Sequence, residues 1–459
     1  MLKLGETMGQ LEKYAQFVGN ETIEKIRTEA ASLEGKSFAH VNSTFYGGGV
    51  AEMLNSYVPL LNDAGVSMEW RLLKGSMDFF MVTKKLHNAL QGSKELLTSD
   101  ELELFEKTVE INSKFSNLKW HDCVIIDDPQ PLPLIDHYPR TSPAIWKPLP
   151  MLLELETYQR RQPWVWRVHI DLSTPQKAAF EYVHRYVSKY DAVIVSHPRY
   201  GKKIRKPQFV IPPAIDPLSE KNRPMKSYET DRILQQSGID SRIPIIAQIS
   251  RFDPWKDPLG VIKAYGRVRK KHKCQLVLLG SHASDDPESE KVFSEVFRIA
   301  EKEKNITLIS LQSDSLVNAL QREAAVIVQK SIREGFGLTV SESLWKGTPV
   351  VGSNVGGIPL QIDDGKNGFL VNGISDCADR IGFLLKNPQK AKEMGSNGFE
   401  KVRRNFLITR LALDELGVLK EMTSSKKVIR PPRAVGELIG MFKKMPRLVR
   451  RGLNLLSDR

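Results

Sequence analysis

Apolar residues recur along this chain with two different periods, and the alternation between those periods outlines a fold. From residue 10 to 34 they fall at helical spacing: Leu11, Tyr14, Phe17 and Val18, then Ile23, Ile26 and Ala30, with Gly35 closing the stretch. The run Ser37 to Asn42 then predicts a short strand. Gly47-Gly48-Gly49 follows, and helical spacing resumes from Val50 to Ala64. Strand-like runs recur at Cys123–Ile126, Val165–His169, Ala192–Val195 and Phe209–Ile211, with helical stretches between them. Strands that alternate with helices imply a parallel sheet covered on both faces.

The segment from Pro212-Pro213 to Met225, rich in proline and charge, interrupts this pattern. The pattern restarts with apolar runs at Ile243–Ser250, Gln275–Gly280, Ile306–Ser310, Ala325–Gln329, Pro349–Gly352 and Gly368–Val371. The expected architecture is α/β, with two doubly wound domains in tandem at residues 1–213 and 214–399. A helix near 400–420 is expected to pack back on the first domain. Residues 139–163, rich in proline, read as an inserted loop, and residues 424–459 as a basic amphipathic tail. Ligands of such sheets bind outside the carboxyl ends of the strands, so the cleft between the domains is the expected site.

Composition changes this picture little. A length of 459 residues suits two or three domains, and 41% hydrophobic with 26% charged residues suits a soluble protein. No apolar run approaches the ~20 residues that cross a bilayer, and the N-terminus lacks a signal-like apolar core. Cys123, Cys274 and Cys377 are scattered and odd in number, so neither a disulfide framework nor a metal knuckle is expected and a cytoplasmic location is. The net charge of +13 hints at nucleic acid, but residues 426–459 carry ten Lys or Arg against two acids. That tail holds +8 and the rest of the chain only +5.

Three segments could do chemistry. Gly47-Gly48-Gly49, between a strand and a helix, offers backbone amides to an anion; it is equally a tight turn. Arg251 and Lys256 follow the first strand of the second domain, where fixed positive charge can meet a diphosphate leaving group; a solvated pair is the plain alternative. The segment Arg333-Glu334-Gly335-Phe336-Gly337-Leu338-Thr339-Val340-Ser341-Glu342 joins a strand to a helix starting near Thr339. Glu334 has no structural need to sit there, whereas Thr339-x-x-Glu342 reads on its own as a capping box.

Glu334 and Glu342, with seven residues between them, resemble the paired-glutamate motif of glycosyltransferase family four, which has the GT-B fold. Phe80 to Gly92, Asp128 to Pro131, His169 to Ser173, Pro213 to Asn222, Arg251 to Lys256 and Ser331 to Glu342 together resemble the trehalose glycosyltransferring synthases, in order from about residue 10 to 417. The resemblance implies two Rossmann-like domains facing each other across a deep cleft. It implies a retaining glucosyltransferase that makes α,α-trehalose from an NDP-glucose, with UDP or ADP as base carrier, and free glucose. Arg251, Lys256, Glu334 and His169 would be catalytic. Gly47, Gly48, Gly49, Gly335, Phe336, Gly337, Leu338 and Glu342 would bind the donor. His87, Asp128, Gln130 and Asp171 are the acceptor candidates, each equally a loop cap or turn residue. Asp127 departs from the pattern, which has a histidine there. No metal and no separate cofactor are implied, and a homodimer is the expected assembly.

Three rivals stand beside this reading. One is a trehalose phosphorylase, which uses inorganic phosphate in place of the nucleotide. Another is a family-four enzyme with a different acceptor. The third, of a different class, is a nucleic-acid or membrane-surface binding protein driven by the basic tail. No nucleic-acid partner is expected, and weak membrane-surface contact by the tail is the most that reading leaves.

Overall fold

The computed structural model describes residues 10–45, 48–138, 162–280, 288–303 and 305–424. Gly47, nearly all of the 139–163 loop and the tail after Ser424 lie outside the described residues.

Two six-stranded parallel sheets form, one from each half of the chain. The first contains β1 (Ser37–Asn42), β2 (Ser67–Leu72), β3 (Cys123–Asp127), β4 (Trp164–Val168), β5 (Ala192–Val195) and β6 (Gln208–Val210), in the order β2-β1-β3-β4-β5-β6. The second contains β7 (Ile245–Ile249), β8 (Gln275–Gly280), β9 (Ile306–Ser310), β10 (Val326–Gln329), β11 (Val350–Ser353) and β12 (Gly368–Val371), in the order β12-β11-β10-β7-β8-β9. Both sheets are doubly wound, as the periodicity predicts. Residues of the inner strands β3, β4, β7 and β8 are buried throughout, because helices cover both faces. Strand order reverses between β1 and β3 in one sheet and between β7 and β10 in the other, which leaves a crevice at each reversal.

Two expectations need correction. The apolar pattern missed β2, because this edge strand reads Ser-Met-Glu-Trp-Arg-Leu and buries little besides Met68. The predicted helix over 10–34 is broken. A 3-10 turn (Leu11–Tyr14) and a short helix (Ala15–Val18) end at Gly19, whose φ of +80° no helix tolerates, and a new helix runs Asn20–Ala31.

The last helix, Ile408–Ser424, leaves the second domain and buries Leu411, Ala412, Leu416 and Leu419 with Leu54 and Tyr57 in the first domain's core. The two chain crossings pair with each other: Ile215 N–H donates to Phe406 O at 2.8 Å, and Ile408 N–H to Ile215 O at 2.9 Å. Arg410 ties the helix to the carbonyls of Pro212 and Pro213 at 2.8 and 3.0 Å. The three cysteines are buried and free.

Candidate functional site at the cleft

On the second domain, the loops after β7 and β10 meet at the strand-order reversal. Asp253 Oδ1 accepts from Trp255 N–H at 2.8 Å, which fixes the 3-10 turn Pro254–Lys256 and presents Lys256. Lys256 Nζ then reaches Glu334 Oε2 at 2.6 Å. Gln329 Nε2 and Ser331 Oγ each donate to that same oxygen at 2.9 Å. Three donors thus fix one carboxylate oxygen. Arg251 lies 3.9 Å from Asp253 Oδ2, and Lys84, from the first domain, donates to that oxygen at 3.2 Å. Burial opposes charge on Asp253, but Lys84 and Arg251 outweigh it and hold the carboxyl below its ordinary value. Burial together with Lys84 and Arg251 pushes His87 down to about 3, so its ring is neutral at pH 7. His87 therefore sits in the field of the cations that would meet a diphosphate.

Glu334 is followed by a loop that only glycine can build. A Cβ on Gly335 would stand 2.0 Å from the backbone oxygen of His169 across the cleft. Gly337 has φ +82° and caps the helix Leu338–Trp345, whose first amides point back toward the cleft. Tyr200 Oη, from the first domain, lies 3.1 and 2.8 Å from the carbonyl oxygens of Glu334 and Gly335, which share its single O–H donor. Phe336 turns away: its ring is buried against Phe406, so only its backbone faces the site. Gly48, with φ +139°, caps the helix Gly49–Asp63, and Gly49 abuts Leu338 of the other domain.

The capping-box reading of Thr339 and Glu342 fails. The helix starts one residue earlier, and Thr339 Oγ1 donates to Ile249 O instead. Glu342 accepts from Gln321 Nε2 at 2.9 Å and lies 3.7 Å from Lys221 Nζ. Lys221 also pairs with Glu52 of the first domain at 2.6 Å. Burial and the Glu342 carboxylate push Glu52 above its ordinary value against the pull of Lys221.

On the first domain the polar groups gather beyond β3 and β4. His169 N–H donates to Asp128 Oδ1 at 3.0 Å, and His169 Nε2 lies 2.8 Å from Asp127 Oδ1. Asp128 adopts a left-handed φ of +64°, and burial pushes its carboxyl up. Asp171 is buried, accepts from Ser173 N–H at 2.8 Å, and lies 3.7 Å from Arg333. Gln130 Oε1 is buried with no hydrogen-bond partner among the described residues.

Arg251, Lys256, Glu334, His169, Asp128 and Asp171 thus gather at the facing ends of the two sheets, while Glu342 stands with Lys221 and Glu52. Lys84, Tyr200, Lys221 and His40 were not singled out from sequence, and Asp127 was noted only as a departure from the family pattern. Lys84 lay inside the Phe80–Gly92 segment and Lys221 inside the Pro213–Asn222 segment, and both could have been; Tyr200 and His40 carry no local motif. Among the described residues no group of three His, Cys, Asp or Glu is placed to hold a metal ion. Nor is any helix among them long and apolar enough to cross a membrane.

Comparison with known proteins places this geometry in context. Residues 40–149 and 147–202 match the family model for the N-terminal domain of trehalose synthase, and residues 229–401 match that for glycosyl transferases group 1. A trehalose synthase of Pyrococcus horikoshii is 43% identical over 421 residues, which is 90% of this chain and 96% of that protein. A trehalose phosphorylase of Grifola frondosa is 28% identical, and the match covers 78% of this chain but 53% of that one. In structure, an α,α-trehalose-phosphate synthase (UDP-forming) from Burkholderia xenovorans, solved with glucose 6-phosphate, matches with a TM-score of 0.66 and 12% identity, over 84% of this chain and all of that one. The likeness to that structure is one of fold, the GT-B arrangement of two doubly wound domains.

Proposed function

The chain belongs to the trehalose synthase family of glycosyltransferases, and we propose that it moves glucose from a nucleoside diphosphate glucose to free glucose, giving α,α-trehalose with the anomeric configuration retained. The observation that carries this reading is the junction of Lys256 and Glu334, with Gly335 pressed against the His169 carbonyl of the other domain. A transferred sugar held there would touch both domains at once.

The bond from C1 of the donor glucose to the diphosphate oxygen breaks, and a bond from C1 to the acceptor hydroxyl oxygen forms. The acceptor's proton leaves on the departing phosphate. Arg251 and Lys256 would neutralise the charge growing on the diphosphate. The amides of Gly48, Gly49 and Gly335 to Leu338 would line it, with Phe336 contributing backbone only. Glu334 would hold the transferred glucose and Glu342 the ribose hydroxyls. His169 would sit beside the reacting centre, and Asp128, Gln130 and Asp171 would meet the acceptor. His87, neutral and among the cations, fits the phosphate side better than the acceptor side. Closing the domains excludes water, which protects the donor from hydrolysis. We propose no metal and no separate cofactor, and a cytoplasmic enzyme; sedimentation equilibrium tests the expected homodimer.

A phosphorylase reading is less well supported, because its relatives are more distant and Glu342 is retained. Carbon NMR of the products tests the proposal, with UDP-glucose and ADP-glucose in parallel, free glucose, and EDTA present. Trehalose plus nucleoside diphosphate is expected. Glucose 1-phosphate formed from trehalose and inorganic phosphate, with no nucleotide requirement, would overturn it.

A further inference from the structure

A line of five ionisable side chains runs from the cleft into the interior of the first domain. His169 Nε2 meets Asp127 Oδ1 at 2.8 Å, and Asp127 Oδ2 meets His40 Nδ1 at 2.7 Å. His40 Nε2 meets Glu415 Oε1 at 2.6 Å, and the other oxygen of Glu415 pairs with Arg167. The side chains of Asp127, His40 and Glu415 are fully buried, and Arg167 is nearly so. Strands β1, β3 and β4 supply four of the five positions or their edges. The fifth, Glu415, comes from the helix Ile408–Ser424, which crosses back from the second domain.

Hydrogen-bond capacity fixes the protons along this line. A carboxylate can only accept, and both ring nitrogens of His40 face carboxylates, so both must carry hydrogen. Burial opposes the resulting charge, yet Asp127 and Glu415 outweigh it and hold His40 up at about 9. Burial likewise opposes charge on Asp127, but His40 and His169 hold its carboxyl well below the usual carboxylate range. Two positive groups, His40 and Arg167, balance two negative ones, Asp127 and Glu415. Tyr57, on the helix Gly49–Asp63, packs edge-on to the His40 ring at 5.7 Å, and burial and Glu415 push its hydroxyl well above its ordinary value, so it stays neutral. Buried ion pairs of this kind contribute little over apolar packing of the same volume, so stability alone gives a poor reason for the arrangement.

The consequence falls on His169. Because Asp127 Oδ1 can only accept, His169 Nε2 must donate, so whenever the ring holds a single proton the bare nitrogen is Nδ1. We infer that Glu415, acting through His40 and Asp127, is a positioning residue that holds His169 as the Nε2–H tautomer, with Nδ1 left to accept a hydrogen bond from a sugar hydroxyl in the cleft. Without the Glu415 charge, His40 needs only one ring proton. It can then present a lone pair to Asp127, which repels that carboxylate and loosens its grip on His169. The helix that ties the two domains together thus also sets the proton pattern at the acceptor side. The sugar-hydroxyl part rests on the proposed trehalose synthesis; the tautomer does not.

Glu415→Gln keeps the shape and an acceptor oxygen for His40 while removing the charge. It is expected to lower kcat about tenfold or more, as loss of an outer-layer orienting group commonly does, with KM for the nucleotide sugar little changed. The sign of the pH effect follows from His40. In the wild type the network is intact below about pH 9 and is lost as pH rises through that value. Removing a carboxylate that holds the proton on moves this alkaline limb of kcat to lower pH. A uniform fall in rate with the limb unmoved means a merely structural role and overturns the inference. Should the variant fail to fold, nitrogen NMR of wild-type enzyme labelled in its nine histidines decides the matter. One histidine still doubly protonated at pH 8, and His169 carrying its proton on Nε2, assigned by the resonances that disappear in His169→Gln, are expected. No doubly protonated histidine at that pH, or His169 protonated on Nδ1, overturns the inference whether or not the enzyme makes trehalose.

Discussion

On the second domain the polar groups of the cleft stand on two short segments, and neighbours in sequence are neighbours in space: Arg251 to Lys256 after β7, and Gln329 to Glu334 from the last residue of β10 onward. On the first domain they come from four elements, and His40 meets Glu415 across 375 positions of sequence. The exposures differ in the same sense. Arg251 and Lys256 keep 34% and 18% of their side-chain surface open, whereas His40 and Asp127 keep none. Cations that would meet an incoming diphosphate stay partly open to the cleft, although Lys256 is held by Glu334 at 2.6 Å. Groups whose task is to hold one geometry are locked inside. Under the proposed function, charge neutralisation would fall to one face and orientation to the other.

The sharpest way to break this division is at the charged face. Lys256→Ala removes the cation that would meet the diphosphate and leaves the Glu334 carboxylate short of its strongest donor. A fall in kcat of about 10²–10³ is expected in steady-state assays. Glu334→Gln should also reduce transfer severely while far-UV circular dichroism stays unchanged; wild-type turnover would remove Glu334 from the mechanism. At the seam between the faces, Gly335→Ala places a methyl 2.0 Å from the His169 carbonyl and forces the domains apart. Displacement of this order costs about 10²-fold in rate, with little change in thermal stability because the clash is relieved by opening. Tyr200→Phe removes one hydroxyl that spans the cleft to two carbonyls. Loss of about 1–2 kcal/mol of transition-state binding, roughly tenfold in kcat/KM, is expected. The smallest catalytic effect belongs to Phe336→Ala. Its ring packs in the core, so the chain should lose about 3–5 kcal/mol of stability in urea unfolding, while the folded fraction retains most of its kcat.

The same contrast explains what the sequence disclosed. Periodicity exposed every fully buried strand, because apolar runs such as Cys123 to Ile126 must fill both faces of a sheet. It missed β2, whose edge position lets Glu69 and Arg71 stay wet. Helical spacing carried straight over Gly19, where a backbone turn, not a side chain, decides the break. At the second domain's face, charge and glycine stand close together in sequence, so a short segment declares itself. Even there, Thr339 to Glu342 imitated a cap, since spacing alone cannot say that the Thr339 hydroxyl reaches Ile249. Phe336 was read with its neighbours as offering its backbone amide, and its apolar ring packs in the core. His87 was an acceptor candidate, and nothing in its own segment showed that folding brings it beside Lys84 and Arg251. Beyond Asp127 standing where the family pattern has a histidine, the Asp127–His40–Glu415 line had no local signal, because three partners from three distant segments meet only once the helix Ile408–Ser424 returns to the first domain.

The measurement that tests the division of the cleft most directly is calorimetric titration of UDP and of ADP into wild type, Lys256→Ala and His169→Asn. Whichever nucleotide the wild type binds should bind His169→Asn with the same affinity. It should bind Lys256→Ala at least tenfold more weakly, because that variant cannot make a charge-assisted hydrogen bond to the diphosphate. Equal weakening by the two substitutions, or weakening by His169→Asn alone, would contradict the assignment of the diphosphate to the second domain.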